Sequence, residues 1–402
     1  MTPRDSDTRA SSARRVCFVT GTRAEFGLMG GVLRAIQKHP RLSLQLVVTG
    51  MHLDRRHGRS VDQIMREGWR IDQIIPWRGA AAGAGAVEMA GSTGRAITAM
   101  ASAFARLKSD IVLVVGDRVE AFAAAAAGHI SGKVVAHVHG GDRALGQVDD
   151  SLRHAITKLA HVHFPATAAS AERIGKLGED AWRIHRVGSP GVDGIEKEAA
   201  SRGALPQRFG ELTPRRYALL VLHPADADEA VEYRRAKAVL RAVETSGFEQ
   251  IVIVHPNNDP GTGGIQRCWT EAAKRPAGSR HSAKTVVIER DISRPLFLGL
   301  LRDAAVLAGN SSSGIIEAAS FGTPVVNIGP RQLGRERSGN VIDVTYAAAA
   351  MRRALQSIWN HGSPRRAPSS NIYGGRGVGR KISGILGRIR LDGRMKRKLI
   401  AY

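Results

Sequence analysis

Cysteine is close to absent from this chain: Cys17 and Cys268 are the only two among 402 residues. Two thiols so far apart exclude a disulfide scaffold. Long hydrophobic runs are missing as well. No stretch approaches the roughly eighteen uninterrupted apolar residues of a membrane-spanning helix, and the alanine run at 121–128 is far too short. The first fifteen residues are polar and basic, with no apolar segment of signal-peptide type before the strand-like VCFVT. The expectation is a disordered extension over 1–14 and a cytoplasmic protein without membrane partners.

Acidic residues are in deficit, 36 against 59 basic, for a net charge of +23. Such a charge raises nucleic acid as a partner. Eight arginines and three lysines face a single aspartate within 361–402, where Tyr373 is the one aromatic before Tyr402. Base stacking needs interleaved aromatics. A solvated, arginine-rich surface is the simpler reading, and no nucleic-acid partner is expected. An anionic small-molecule substrate also suits a basic protein.

What is present is alternation. RVCFVTG, LSLQLVVTG, DIVLVVGD, KVVAHVHGGD and VHFPAT read as strands, with helical stretches between them. After a segment rich in Gly, Pro and charge the pattern resumes with YALLVLHP, FEQIVIVHP, TVVIERD, AAVLAGN and PVVNIG. Near-continuous Val, Leu and Ile runs suit parallel strands covered on both faces. The predicted fold is α/β, with two doubly wound parallel-sheet domains facing a central cleft. The expected boundaries are 15–195, a linker over 196–215, 216–375, and a closing segment over 376–402 that is helical to about 391. Ligands of open parallel sheets bind beyond the carboxyl ends of the strands, so the candidate residues are those that follow strands.

LAGNSSSGIIEAASFGTP, Leu307 to Pro324, is the most informative stretch. A strand ends at Gly309, Asn310 to Ser313 turn, and a helix begins. Free N–H groups and a partial positive charge at a helix start, with serine hydroxyls added, make an anion seat suited to phosphate. Gly314 lets a ligand approach. Ordinary N-capping is the alternative, though one serine suffices for that. Glu317, one turn on, is either a ribose acceptor or an exposed helix carboxylate. Arg23, after the first strand, is placed to reach a diphosphate. VTGTRAEFG lacks the G-x-G-x-x-G spacing of dinucleotide binders.

Other strand ends carry Asp117 and Arg118, then His137, His139 and Asp142, then Asp149, Asp150, Arg153 and His154. Carboxylates held together separate each other's pKa values, which suits acid and base roles. Arg153 is a candidate substrate contact, and an ion pair with the Asp pair is the structural alternative. His-x-His-Gly-Gly-Asp has no third or fourth ligand at convincing spacing, so no metal is expected. In the second half His223, His255 and Asn257 follow strands, and Arg331, Arg335 and Arg337 follow PVVNIG. Asp226-Ala-Asp228 matches a sugar-transferase D-x-D, a pattern too short to weigh.

VTGTRAEFGLM, GDRVEAFAAA, HVHGGD, DDSLRHAITKLAHVHF, VGSPGVD, HPNNDPG, GNSSSGIIEAASFGTPVVNIGPRQLGR and NIYGGRGVGRKI together resemble the hydrolysing UDP-N-acetylglucosamine 2-epimerases of sialic and legionaminic acid biosynthesis. The resemblance runs from about residue 14 to 385. It implies a GT-B arrangement of two Rossmann-like domains and release of UDP with an N-acetylmannosamine-type sugar through a glycal. It implies no metal or organic cofactor, and a homo-oligomer, dimer or tetramer. By position it implies that Ser311, Ser312 and the helix start hold the UDP phosphates with Arg23, that Glu317 holds the ribose, and that Arg331 lies by the nucleotide. His223 would sit near the diphosphate and the reacting bond, Asp117 and Asp149 or Asp150 would be catalytic carboxylates, and Arg118 would position substrate. Some relatives carry Glu where His139 stands; others have His there and Glu where this chain has the shorter Asp142. Proton work by Asp142, by His139 or by neither stays open. The rival readings are a GT-B glycosyltransferase using a UDP-sugar and a catalytically weak nucleotide-sugar binder.

Overall fold

The computed structural model describes residues 13–54, 59–76, 86–143, 149–256, 259–274, 285–290 and 292–401. The first half runs β1 (Arg14–Thr20), α1 (Arg23–Gln37), β2 (Leu42–Val48), α2 (Val61–Arg66), β3 (Gln73–Ile74), α3 (Ala86–Arg106), β4 (Ile111–Val115), α4 (Val119–Ile130), β5 (Val134–Val138), α5 (Asp149–Leu159), β6 (Val162–Phe164) and α6 (Ala168–Lys176). Two short helices, α7 (Ile195–Glu198) and α8 (Pro206–Phe209), lead to the second half. That half runs β7 (Tyr217–Val221), α9 (Glu229–Glu244), β8 (Gln250–Val254), α10 (Thr262–Ala273), β9 (Thr285–Glu289), α11 (Arg294–Asp303), β10 (Val306–Gly309), α12 (Ser312–Ile316), β11 (Val325–Ile328), β12 (Val341–Val344) and α13 (Ala348–Trp359). Helices α14 (Val378–Arg388) and α15 (Gly393–Lys396) follow.

Each half is a six-stranded, all-parallel sheet. The first has the order β3-β2-β1-β4-β5-β6, and the second, read from its far edge, β9-β8-β7-β10-β11-β12. These are two Rossmann-like domains with the same permuted order. The order reverses between β1 and β4 and between β7 and β10, the crevices in which open α/β sheets take ligands. Central strands such as β4 and β7 are buried along their whole length, as coverage on both faces requires. Helix α3 is not among the elements read from the sequence; its Ala, Gly, Ser and Thr content gives little apolar contrast. Its Ala96, Met100 and Ala103 pack in one cluster with Ala123, Ala124 and Ala127 of α4.

The chain crosses between the domains twice, at 187–193 and 371–377, and the two crossings touch. Gly188 has φ +91°, and a Cβ there would lie 2.9 Å from Cα of Gly375. Only glycine lets the backbones pass so closely. Asp193 then caps α14, its oxygens accepting from the Gly377 and Gly379 N–H groups at 2.9 and 3.3 Å. Val378, Ile382 and Leu386 bury in the core of the first domain beside α1.

The arginine-rich end is not simply a solvated surface. Arg366 donates to the carbonyls of Ala304, Arg302 and Phe321 at 2.8, 2.8 and 3.0 Å. Lys398 donates to the carbonyls of Lys158 and Ala160, at 2.7 and 2.6 Å, where α5 ends. A cation there satisfies carbonyls that the helix leaves open. Among the described residues no helix is long and apolar enough to cross a membrane.

Candidate active site

Thr22 and Glu25 close a capping box around the start of α1, which fixes the turn that presents Arg23. Across the cleft, β10 delivers the Asn310–Ser313 turn. A cavity of about 310 Å³ lies between them, lined by Arg23, Leu28, Arg294, Phe297, Ser312, Ser313 and Glu317 among others.

The serine turn divides its work. Ser311 is the N-cap, its Oγ accepting from the Ser313 N–H at 3.3 Å, and it is buried. Ser312 and Ser313 line the cavity. The helix is shorter than the sequence suggests: α12 ends at Ile316, and a 3-10 turn over Ala318–Phe321 follows. Five residues carry little macrodipole, so N–H groups and hydroxyls supply the positive potential. Two residues expected to touch ligand serve the scaffold. Asn310 is fully buried, its Oδ1 accepting from the His223 N–H at 2.7 Å and its Nδ2 donating to the His223 carbonyl at 2.8 Å. A Cβ on Gly314 would lie 2.9 Å from Val325 Cγ1 and 3.2 Å from Leu307 Cδ2, so this glycine admits the sheet, not a ligand.

Glu317 is buried at the cavity wall and pairs with Arg294 Nη1 at 2.5 Å. Arg294 also reaches Glu198 at 3.1 Å and the Gly191 carbonyl at 2.6 Å, joining α11 to the crossing between domains. Arg331 lies beside the serine turn, 3.4 Å from the Asn310 carbonyl and 3.4 Å from Asp259. His223 and His255 follow β7 and β8, and burial lowers the pKa of His255. Arg337 is spent on Asp343 at 2.9 and 3.1 Å. Asn257 lies outside the described residues. Asp149 opens α5.

In the first domain Arg153 is 1% exposed and acts as a hub. It pairs with Asp117, reaches Asp150 Oδ1 at 3.2 Å and donates to the Asp142 carbonyl at 2.9 Å. The expectation that it binds substrate gives way to the ion-pair alternative, because its donors are turned inward. Burial, then the charges of Arg335 and Arg173, lower its pKa to about 9. Asp117 keeps 21% side-chain exposure. Asp150 is also partly exposed and pairs with His154 at 3.4 Å.

His137 is buried, with Nε2 on the Gly116 carbonyl at 2.7 Å, and burial lowers its pKa to about 3. His139 does not share its face. Strand β5 ends at Val138, and His139 has φ +63°, a left-handed conformation that costs a non-glycine residue on the order of 1–2 kcal/mol. There His139 Nδ1 hydrogen-bonds Asp142 Oδ2 at 3.0 Å, and its Nε2 hydrogen-bonds the Ser189 hydroxyl at 2.9 Å. Asp142 Oδ1 accepts from Ser170 Oγ at 2.7 Å. Burial opposes ionisation of Asp142, but His139, Arg335 and Ser170 outweigh it and hold the carboxyl below its ordinary value. The second domain reaches this corner through Glu336, which accepts from Thr167 Oγ1 and whose carbonyl accepts from Tyr373 OH at 3.1 Å.

Sequence reasoning passed over Arg294, Glu198, Phe297 and Ser189. Arg294 begins the helix after β9, so the strand-end rule that selected its neighbours applies to it equally. Ser189 lies in VGSPGVD, whose reach back to His139 no local pattern reveals.

The UDP-N-acetylglucosamine 2-epimerase profile matches residues 34–387. The chain is 37% identical over 391 residues to the UDP-N,N'-diacetylbacillosamine 2-epimerase (hydrolyzing) of Legionella pneumophila, covering 97% of this chain and 100% of that protein. It is 32% identical over 349 residues to the UDP-N-acetylglucosamine 2-epimerase of Neisseria meningitidis, covering 87% and 88%. In fold it is similar to the structure of UDP-GlcNAc 2-epimerase from Neisseria meningitidis bound to UDP-GlcNAc, with TM-score 0.76 at 19% identity, covering 92% and 99% of the two chains. Two Rossmann-like domains, a cleft whose lip carries Arg23, Ser312 and Ser313, and these likenesses along nearly the whole sequence agree: the chain belongs to the UDP-N-acetylglucosamine 2-epimerase family.

Proposed function

We propose that the chain is a hydrolysing UDP-HexNAc 2-epimerase. It takes UDP-GlcNAc or a UDP-2,4-diacetamido-2,4,6-trideoxyhexose and releases UDP and the free, manno-configured sugar. One observation carries the reading: a single cavity is lined by two guanidinium groups, two serine hydroxyls at a helix start and a carboxylate. That is the complement of a nucleoside diphosphate, with donors for phosphate and an acceptor for ribose.

In the proposed reaction a carboxylate removes the proton at sugar carbon 2. The carbon 1–oxygen bond breaks, UDP leaves with the bonding pair, and the carbon 1–carbon 2 double bond of a glycal forms. Water then adds, its hydroxyl to carbon 1 and a proton to carbon 2 on the opposite face. Arg23, Ser312 and Ser313 stabilise the charge that gathers on the leaving diphosphate. Asp117 is the carboxylate we assign to proton work, since it keeps part of its surface open beside its partner Arg153. Asp142 is the weaker candidate, because both its oxygens are engaged by His139 and Ser170. Glu317 takes the ribose hydroxyls beside Arg294. Similarity along the full length of a diacetylbacillosamine 2-epimerase makes the diacetamido sugar the first substrate to test.

The test is a proton NMR time course in D₂O with each UDP-sugar. The expected result is UDP plus a manno-configured sugar with deuterium at carbon 2, without any acceptor. Bound UDP with neither sugar consumed shows a binding protein instead. Sugar transfer only on addition of an acceptor shows a transferase.

A further inference from the structure

Gly116 follows β4 and turns the chain into Asp117. It has φ +77°, and a Cβ added there would meet nothing within 4 Å. The glycine therefore serves the backbone conformation of the turn, not the space around it. Both polar groups of this turning residue are held by β5. Its N–H donates to the Val138 carbonyl at 3.0 Å. Its carbonyl lies 2.7 Å from Nε2 of His137. A carbonyl only accepts, so Nε2 carries the proton. Burial lowers the His137 pKa to about 3 against that bond, so the ring is neutral and Nδ1 is an acceptor.

Nδ1 faces α5. Thr157 Oγ1 lies 3.4 Å from it and 3.1 Å from the Arg153 carbonyl. Thr157 and His137 are both fully buried. A Cβ on Gly140 would lie 2.8 Å from Nδ1 and 3.1 Å from the Thr157 hydroxyl, so a residue without a side chain leaves room for the contact. Arg153, one turn earlier on α5, pairs with the Asp117 carboxylate. The contacts thus close on themselves, from the Gly116 carbonyl through His137, Thr157 and Arg153 to the Asp117 side chain. Asp117 is fixed at both ends, its backbone through His137 and its carboxylate through Arg153.

We propose that His137 is a positioning residue for Asp117: by holding the Gly116 carbonyl it sets where the Asp117 carboxylate stands beyond the end of β4. The catalytic consequence rests on the function proposed above; the frame around Asp117 does not. A glycine peptide released from His137 is free to rotate and carries Asp117 with it. Misplacing a reacting group by roughly 1 Å costs on the order of 10²-fold in rate. The serine turn and Glu317 sit on the second domain, so the cost falls on proton removal and not on UDP binding.

The experiment compares the full chain with His137→Phe, which keeps a ring but donates nothing, and with His137→Gln, whose amide still donates to a carbonyl. With the UDP-sugar, His137→Phe is expected to lower kcat about tenfold to a hundredfold and to leave KM and UDP affinity unchanged. Deuterium at sugar carbon 2 is expected to slow His137→Phe more than the parent, because proton removal becomes the slow step. His137→Gln is expected to recover most of kcat. The same proteins, labelled with ¹³C at glycine carbonyls and aspartate carboxyls, are read by NMR without substrate. The Gly116 and Asp117 signals are expected to move together in His137→Phe and to return in His137→Gln. Thr157→Val, nearly unchanged in shape, is expected to give a smaller change of the same kind, and it decides the question if His137→Phe does not fold. Unmoved Asp117 signals in the folded variants, or a loss that falls on KM with kcat kept, overturn the proposal. An equal loss of kcat in His137→Gln assigns His137 to packing and overturns it too. Should the parent turn over neither sugar, the proposed function fails while the Asp117 signals still decide the frame.

Discussion

Asn310 and His223 exchange two hydrogen bonds, the Asn310 side-chain amide clasping both the N–H and the carbonyl of the His223 peptide. This clasp joins the turn after β10 to the turn after β7 at the point where strand order reverses. Asn310 thus acts on the cleft by placing His223.

Asn310→Ala is expected to remove two hydrogen bonds from the partly buried His223 backbone, each worth about 0.5–1.5 kcal/mol. Urea unfolding should show it, and calorimetry should show weaker UDP binding. Parental UDP affinity in a folded Asn310→Ala protein would remove Asn310 from the positioning of this site.

The serines should separate by task. Ser311→Ala removes the N-cap and is expected to cost ~1 kcal/mol of stability. Ser312→Ala and Ser313→Ala should leave stability unchanged and weaken UDP binding about two- to tenfold each, the worth of one neutral hydrogen bond. Equal effects of all three on stability, with none on UDP affinity, would falsify the division.

Arg153→Met should destabilise by about 3–5 kcal/mol, because it leaves Asp117 without its buried partner. The matching test is Arg153→Met with Asp117→Asn, which should recover much of the loss. A double variant as unstable as the sum of the singles means that Arg153 acts through packing instead.

The docked C-terminal segment should loosen in acid. Burial raises the pKa of Glu179, but hydrogen bonds from His163, Lys158 and Lys398 outweigh it and bring it to about 2. A depressed carboxyl contributes stability that is complete above its unfolded value of 4.5 and is lost as pH falls toward 2. Melting temperature should therefore drop more steeply across that window in the parent than in Glu179→Gln. Parallel curves for the two proteins would dispose of this account.

Much of the site could be read from local sequence. Arg23, Ser312, Ser313 and Glu317 follow strands in a doubly wound pattern, and the rule that ligands lie beyond strand ends brings them to one cavity. Glycine was the least legible residue. Gly314 and Gly188 look alike in sequence, yet one admits a sheet and the other a second chain crossing. Arg153 shows the same limit from the charged side: a guanidinium near carboxylates reads equally as a substrate clamp or a buried hub, and burial alone separates the two.

Alternating apolar runs and polar strand ends determined two parallel α/β layers, because periodicity and turn chemistry act over a few residues and need no distant partner. Tertiary structure decided which polar groups face the cleft and which face each other. The left-handed His139 beside Ser189 and the inward-turned Lys398 both depend on contacts between segments far apart in the chain. Their burial and pairing arise only when the domain closes around them.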